Sequence, residues 1–194
     1  MEKLKDRTLV LASKSPRRAE LLKVLGIPVE IRPVEVEEDF PTHFSAAETA
    51  LYLAALKAEA CPLPVGKEIW ITSDTVVSVK GKILGKPADK REALQMLRSL
   101  SGCKHEVITA VCLRSDLLKK TFYETTKVTM KRFTTAELHY YIDNFNPFDK
   151  AGGYGIQDWL GMIGIEKIKG CYYNVMGLPV AKLYAHLGEF ALSE

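Results

Sequence analysis

The sequence predicts an α/β fold made as a single unit. Three observations carry this: an almost unbroken alternation of strand-like and helix-like segments, three Ser/Thr/Asp…Glu boxes that open helices, and Gly or Pro punctuation that closes them. Thr8 to Ala12 reads as a buried strand. Ser15-Pro16 then starts a helix, with Ser as N-cap and Pro at the first helical position, and Gly26 stops it. Val29 to Val36 alternates like a strand and runs into the acids Glu35, Glu37, Glu38 and Asp39. Ser45 with Glu48 opens a helix that Pro62 and Pro64 close. Ile69 to Val79 is a strand, turning at Lys80-Gly81-Lys82 into Ile83-Leu84. Asp89 with Glu92 opens a helix ended by Ser101-Gly102. Two β-rich runs follow, Glu106 to Leu113 and Thr121 to Met130. Thr134 with Glu137 caps a helix that stops before Asn146-Pro147, Ala151 to Gly155 is loop, Ile163 to Ile168 is strand, and Leu178 to Leu187 is the last helix. No repeat, low-complexity segment or linker interrupts residues 1–194, so one domain, bilobed, is expected.

Composition excludes whole classes. With 194 residues, 47% hydrophobic and 26% charged, the chain is an ordinary globular protein with an expected radius of gyration of about 16 Å. Lys and Arg total 27 against 24 acids, a net charge of +3, too even for a dedicated nucleic-acid or membrane-surface binder. No apolar run approaches the roughly 18 residues that span a bilayer. Met1 to Arg7 carries both signs of charge, and Thr8 to Ala12 is too short for the apolar part of a signal peptide. Cys61, Cys103, Cys112 and Cys171 form no CxxC pair and no zinc spacing with a histidine. They read as thiols of a reduced cytoplasm, and nothing supports a catalytic pairing with His43, His105, His139 or His186.

Three places could carry chemistry. Ser13-Lys14-Ser15-Pro16-Arg17-Arg18 sits where a strand hands over to a helix N-terminus, which offers unpaired N–H groups and roughly half a positive charge. Adjacent helical residues diverge by about 100°, so Arg17 and Arg18 either grip different phosphate oxygens or divide between ligand and structure; the same run also reads as a capped surface helix. Asp74, in Ser73-Asp74-Thr75, emerges from an apolar strand, costly unless the carboxylate is paired or binds a cation; the alternative is a turn-forming Asp. The acids Glu35 to Asp39 either line a solvated loop or lend a carboxylate to a Mg²⁺ site with Asp74. Lys57 and Lys86 are individually weak signals. Gly152 to Gly155 permits close backbone approach, and Gln157 carries the donor and acceptor that base-edge recognition requires; a flexible loop is the alternative.

In this order the pieces resemble the Maf family of nucleoside triphosphate pyrophosphatases. The matching stretches are Leu11 to Arg18, Ser73-Asp74-Thr75-Val76-Val77, Gly85-Lys86-Pro87, Leu100-Ser101-Gly102, Phe148 to Gln157, and Tyr173 to Pro179, spanning nearly the whole chain. The resemblance implies a mixed sheet with flanking helices, similar to inosine triphosphatases, and two lobes around a central cleft. It implies hydrolysis of a phosphoric anhydride, from nucleoside triphosphate to monophosphate and diphosphate, with a divalent cation, Mg²⁺ or Mn²⁺. By motif, Asp74 is the proton acceptor and Arg18, Thr75 and Gln157 set substrate choice. Ser13, Ser15, Arg17, Glu38, Lys57 and Lys86 align with residues that line the family's substrate site, and Glu38, with Glu37 beside it, is the acid expected to join Asp74 at the metal.

Asp74-Thr75 with Tyr154-Gly155-Ile156-Gln157 places the chain in the dTTP/UTP branch. Asp158-Trp159-Leu160-Gly161-Met162 departs from that branch's glycine-rich continuation. The implied role is removal of non-standard nucleotides, with modified pyrimidines such as pseudouridine triphosphate as an open alternative to dTTP and UTP and a link to cell-division arrest attached to the family name. The expected partner is the nucleotide, with no stable nucleic-acid complex, no membrane, and a homodimer consistent with the family. Two alternatives stand beside this reading: a non-catalytic cell-division regulator, and a pyrophosphatase for another modified nucleotide such as 7-methyl-GTP.

Overall fold

Leu9, Val10 and Leu11 are fully buried, as a parallel strand covered on both faces must be. They form β1 (Thr8–Leu11), which pairs in parallel with β2 (Val29–Ile31) on one side and β3 (Glu68–Val79) on the other. The computed structural model describes Leu4 and residues 6–190. Its remaining elements are α1 (Pro16–Lys23), α2 (Ala46–Glu59), β4 (Lys82–Leu84), α3 (Lys90–Leu100), β5 (Lys104–Arg114), β6 (Lys119–Met130), α4 (Thr135–Phe145), α5 (Trp159–Gly164), β7 (Ile165–Lys169), α6 (Tyr172–Met176) and α7 (Val180–Phe190), with single 3-10 turns at Pro147–Asp149 and Ala151–Gly153. The strands make a seven-stranded sheet in the order β2-β1-β3-β5-β6-β7, with β4 hydrogen-bonded to β3. Antiparallel β3–β4 and β6–β7 pairs make it mixed, so the expected α/β class stands.

The chain divides into two compact units. The first runs through Asp74 and adds Thr109–Glu124 and the segment from Gly177 onward. In it α2 buries Leu53 beside Ala50, Ala54 and Ala58, an i, i+4 stripe of small residues that lets the helix lie close to its neighbours. Thr72 of β3 donates its hydroxyl to the Ala54 carbonyl at 2.6 Å, and Arg114 reaches the Ala58 carbonyl at 2.9 Å. The second bond satisfies an orphan carbonyl in the last helical turn with a cation, as the helix dipole favours. Arg7 does the same for Phe190 at the end of α7.

The second unit comprises Thr75–Ile108 and Thr125–Met176. Its core gathers Val77, Val79, Leu97, Leu100, Val107, Val128, Leu138, Tyr141 and Leu160. Lys80 and Gly81, at φ 50° and 77°, turn β3 into β4 with two left-handed residues, the hairpin geometry whose twist suits the flanking strands. Thr134 and Glu137 form the full capping box of α4, and Asn146 at φ 45° ends that helix ahead of Pro147.

Several elements differ from expectation for local reasons. β2 stops at Ile31 instead of Val36: Arg32 still donates to the Leu11 carbonyl, but Pro33 has no N–H to give. The box at Asp89 is half formed, because Glu92 turns its carboxylate to the Ala88 N–H. α1 ends at Lys23, three residues before Gly26. α5 and α6, of six and five residues, are too short to show a period. The Gly-rich run is no flexible loop, since Gly152 through Ile156 are buried. All four cysteines are free, and burial pushes the Cys61 thiol up to about 11, so it is inert at neutral pH.

His105 of β5 is 2% exposed and shares a 2.7 Å hydrogen bond between Nε2 and the Tyr154 hydroxyl, while Nδ1 has no partner. Burial pushes its pKa down from 6.5 to about 4. The folded chain therefore keeps this ring neutral where the unfolded chain binds a proton, so its stability is complete above about pH 6.5 and falls as the pH drops toward 4. The loss should reach about 3 kcal/mol. Urea denaturation at pH 7 and pH 4.5 should show that loss in the wild type and a much flatter profile in His105→Gln. Parallel profiles would remove His105 as the cause.

Candidate active site

The site begins where β1 hands over to α1. Ser15 takes the N-cap position with an extended backbone and Pro16 follows as the first helical residue, yet the Ser15 side chain makes no capping bond. Its N–H instead finds the Ser13 hydroxyl at 3.2 Å. Arg18, in the first turn of α1, is half-buried and used by the fold. Its Nε donates to the Gly177 carbonyl at 2.9 Å, and its Nη1 to the Ser73 carbonyl at 3.1 Å and to Ser13 Oγ at 3.3 Å. One guanidinium thus ties the end of β1 to the middle of β3 and to the segment that enters α7. Desolvation lowers its pKa, against which the Asp74 charge works. Arg17 is half-buried beside it, while Lys14 points away and pairs with Glu35 on the surface.

Asp74 lies on the same face of β3 as Thr72, two residues on. Lys57 lies one turn beyond Ala54 on α2. Because Thr72 is already pinned to Ala54, the helix and strand advance together, about 4.5 Å along one and 6.6 Å along the other, and bring Lys57 to Asp74. The Lys57 Nζ sits 2.6 Å from Asp74 Oδ1 and 2.8 Å from Glu38 Oε1. Lys57 and Asp74 keep only 12% and 11% of their side-chain surface exposed, whereas Glu38 keeps 41%. Burial raises the Asp74 pKa above the ordinary aspartate value; Lys57 and Arg18 oppose the shift and Glu38 adds to it. Ser73 Oγ, beside this carboxylate in sequence, is buried with no hydrogen-bond partner.

The other expected residues belong to the second unit. Thr75 follows Asp74 along β3 and so faces the opposite side of the strand. Gly85 accepts from the Gly152 N–H at 2.9 Å, which joins Gly85-Lys86-Pro87 to the Gly-rich run; Lys86 is exposed there. Gln157 is half-buried, and its Oε1 is buried without a hydrogen-bond partner. The structure therefore brings Ser13, Arg18, Lys57, Glu38 and Asp74 together in one unit, and sets Thr75, Lys86 and Gln157 in the other. Of the neighbouring acids, Glu38 and not Glu37 meets Lys57.

Two carboxylates converging on one point, now filled by the Lys57 ammonium, are a donor set suited to a hard divalent cation that takes its other oxygens from phosphate and water. Among the described residues no group of three or more His, Cys, Asp or Glu gathers to hold a metal by protein ligands alone. The residues present thus fit a cation that arrives with an anionic ligand.

The model of the Maf-like protein family matches residues 8–190. The chain belongs to the Maf family. The dTTP/UTP pyrophosphatase of Flavobacterium johnsoniae is 46% identical over 187 residues, 96% of this chain and 96% of that protein. That of Christiangramia forsetii is 47% identical over 189 residues, 97% and 96% of the two chains. A HAM1 protein from Coxiella burnetii shares the fold, with a TM-score of 0.52 at 16% identity, covering 94% of this chain and 99% of that one. No helix among the described residues of this Maf protein is long and apolar enough to cross a membrane.

Sequence reasoning missed the backbone acceptors. The carbonyls of Ser73 and Gly177 hold Arg18, and a carbonyl leaves no mark in residue identity. The Lys57–Asp74 pair yields a direct test. Removing one partner of a buried pair costs about 3 kcal/mol, so Lys57→Met should lose that stability at pH 8. It should lose less at pH 5, where an Asp74 with its pKa raised further can take up a proton. Adding Asp74→Asn to the same chain should restore most of the loss. Equal destabilisation at both pH values would show that Asp74 is not the partner that matters.

Proposed function

We propose that this Maf protein is a nucleoside triphosphate pyrophosphatase that hydrolyses dTTP and UTP to the monophosphate and diphosphate. The observation that carries the reading is the buried Asp74 carboxylate between Lys57 and Arg18, in a chain that is 46–47% identical along nearly its whole length to dTTP/UTP pyrophosphatases.

Asp74 acts on a water molecule that attacks the α-phosphorus. The water's proton goes to Asp74 as the new P–O bond forms, and the bond from the α-phosphorus to the bridging oxygen breaks to release diphosphate. A carboxylate whose pKa burial has raised is a better proton acceptor near neutral pH. Most of the barrier reduction comes from positioning and charge neutralisation, as in phosphoryl transfer generally. Arg17, Ser13, Ser15 and Lys86 bind phosphate oxygens. Lys57, which pairs with two acids in the free chain, exchanges part of that interaction for the incoming triphosphate. Glu38 and Asp74 would hold a divalent cation, Mg²⁺ or Mn²⁺, which when bound neutralises charge on the triphosphate. Arg18 keeps Ser73 and the β1 end in place for this chemistry, and with Thr75 contributes to substrate choice.

Gln157 supports the pyrimidine preference. Its buried Oε1 lacks a donor; thymine and uracil carry an N3–H between two carbonyls, and cytosine has no hydrogen at N3. The amide NH₂ of Gln157 can meet one of those carbonyls, so a matched base satisfies both ends of the side chain. The four free cysteines suit a reducing compartment, and we place the enzyme in the cytoplasm, with a homodimer tested by light scattering.

With a panel of dTTP, UTP, CTP, GTP and 7-methyl-GTP in Mg²⁺, dTTP and UTP should be turned over to monophosphate and diphosphate. Asp74→Asn should lose at least about 100-fold in kcat with its fold intact. A mutant at near wild-type rate, or a folded protein inert on every nucleotide, would overturn the proposal. Gln157→Ala should reduce the preference for UTP over CTP about tenfold or more, and slow UTP turnover by less. An unchanged preference would remove Gln157 from base recognition.

A further inference from the structure

Gln157 stands in a turn that is braced from inside the second unit. Asp158 donates its backbone N–H to the Gly155 carbonyl at 3.2 Å, closing a four-residue turn with Ile156 and Gln157 at its centre. Tyr141 of α4, fully buried, accepts from the Gly155 N–H at 3.1 Å and donates its hydroxyl to Asp158 Oδ2 at 2.9 Å. One phenol oxygen therefore bonds to both ends of the turn. The Asp158 carboxylate lies so close to Gly155 that a Cβ there would sit 2.5 Å from Oδ2, so only glycine leaves room for it. Lys150 Nζ, nearly buried, stands 3.6 Å from the same oxygen and offsets its charge. Upstream, Tyr154 is held by His105 at 2.7 Å. Downstream, Gly161 of α5 packs against the Ile156 carbonyl, where a Cβ would approach within 2.2 Å.

We propose that Tyr141 and Asp158 are positioning residues for base selection: their hydrogen bond across the Gly155–Asp158 turn fixes the backbone from which Gln157 presents its amide to the pyrimidine edge. The inference rests on the reading of Gln157 as the base-recognising residue. It supplies what that reading needs. A glutamine amide rotated by half a turn offers its donor where its acceptor stood, and so matches cytosine as well as uracil. Discrimination requires that the side chain start from one backbone position. A turn bonded at both ends by one buried phenol meets that requirement; a turn closed by the single Asp158–Gly155 bond would leave Gln157 free to shift by the fraction of an ångström that decides a hydrogen bond. Neither residue touches the base or the phosphates in this account, so their removal should leave the chemistry largely in place.

The departure of this sequence from the glycine-rich continuation after Gln157 thereby acquires a role. Asp158 accepts from Tyr141 and also precedes α5 as its N-cap residue, receiving the Met162 N–H on its carbonyl.

The test uses the full chain with Tyr141→Phe, which deletes one oxygen and keeps the ring in the core, and with Asp158→Ala. For each variant, kcat and KM are measured on UTP and CTP beside wild type and Gln157→Ala, after circular dichroism and thermal melting confirm folding. The expected result is a fall of about tenfold in the UTP-to-CTP ratio of kcat/KM for Tyr141→Phe, with kcat on UTP within about threefold of wild type. Asp158→Ala should lower the ratio in the same direction, and the double variant should lose no more than Tyr141→Phe alone, because removing the phenol oxygen already deletes the contact the two residues share. A role in stability alone would lower both nucleotides in proportion and leave the ratio unchanged. That outcome, with Gln157→Ala still altering the ratio, overturns this inference and spares the reading of Gln157. An unchanged ratio in Gln157→Ala overturns both. Should Tyr141→Phe fail to fold, Asp158→Ala decides alone by the same ratio.

Discussion

A carboxylate in the middle of a strand that is buried almost from end to end is costly unless a cation reaches it, and much of the first unit is arranged to supply one. β3 is covered along nearly all of its 12 residues, and Asp74 stands in it with little solvent. Lys57 reaches it because α2 is held at a fixed height on β3 by Thr72 and Ala54, and α2 lies close because three of the residues under it are alanines. Arg18 stands near enough to oppose the desolvation of Asp74, and it is held by the backbone of Ser73 and Gly177. Charge, helix placement and strand register are one arrangement, and changing any of them changes the proton affinity of Asp74.

The same pair gives the free chain a balanced resting state. Lys57 pairs with Asp74 and Glu38 at once, so the acids that would meet a cation and the lysine that would meet phosphate hold one another until a ligand brings both charges together. A triphosphate with its divalent cation is such a ligand, since it offers negative oxygens to Lys57 and positive charge to the two carboxylates. The site thus avoids the cost of leaving a buried charge unpaired before substrate arrives.

Much of this was legible in the residues. Pro16 after Ser15, the boxes at Ser45 and Thr134, and the Lys80-Gly81 turn each signal local geometry through chemistry that acts within a few residues. Asp74 stood out because a charge at the end of an apolar run is conspicuous. The short β2, by contrast, turned on one missing N–H at Pro33 inside an otherwise convincing alternation, and α5 and α6 are too brief for any period to declare itself. Lys57 looked like one more surface lysine, since its partners are 17 and 19 positions away in the chain. Tyr141 carries no local signal in the sequence, and its phenol gains meaning only because the fold brings Gly155 and Asp158 to it. Contacts between residues distant in sequence are what the fold adds.

The central claim is that water held by Asp74 attacks the α-phosphorus of UTP. Turnover of UTP in water enriched in heavy oxygen, with mass spectrometry of both products, tests it most directly. Heavy oxygen in the monophosphate and none in the diphosphate is the predicted result. Label in the diphosphate would place the attack at the β-phosphorus and contradict the account.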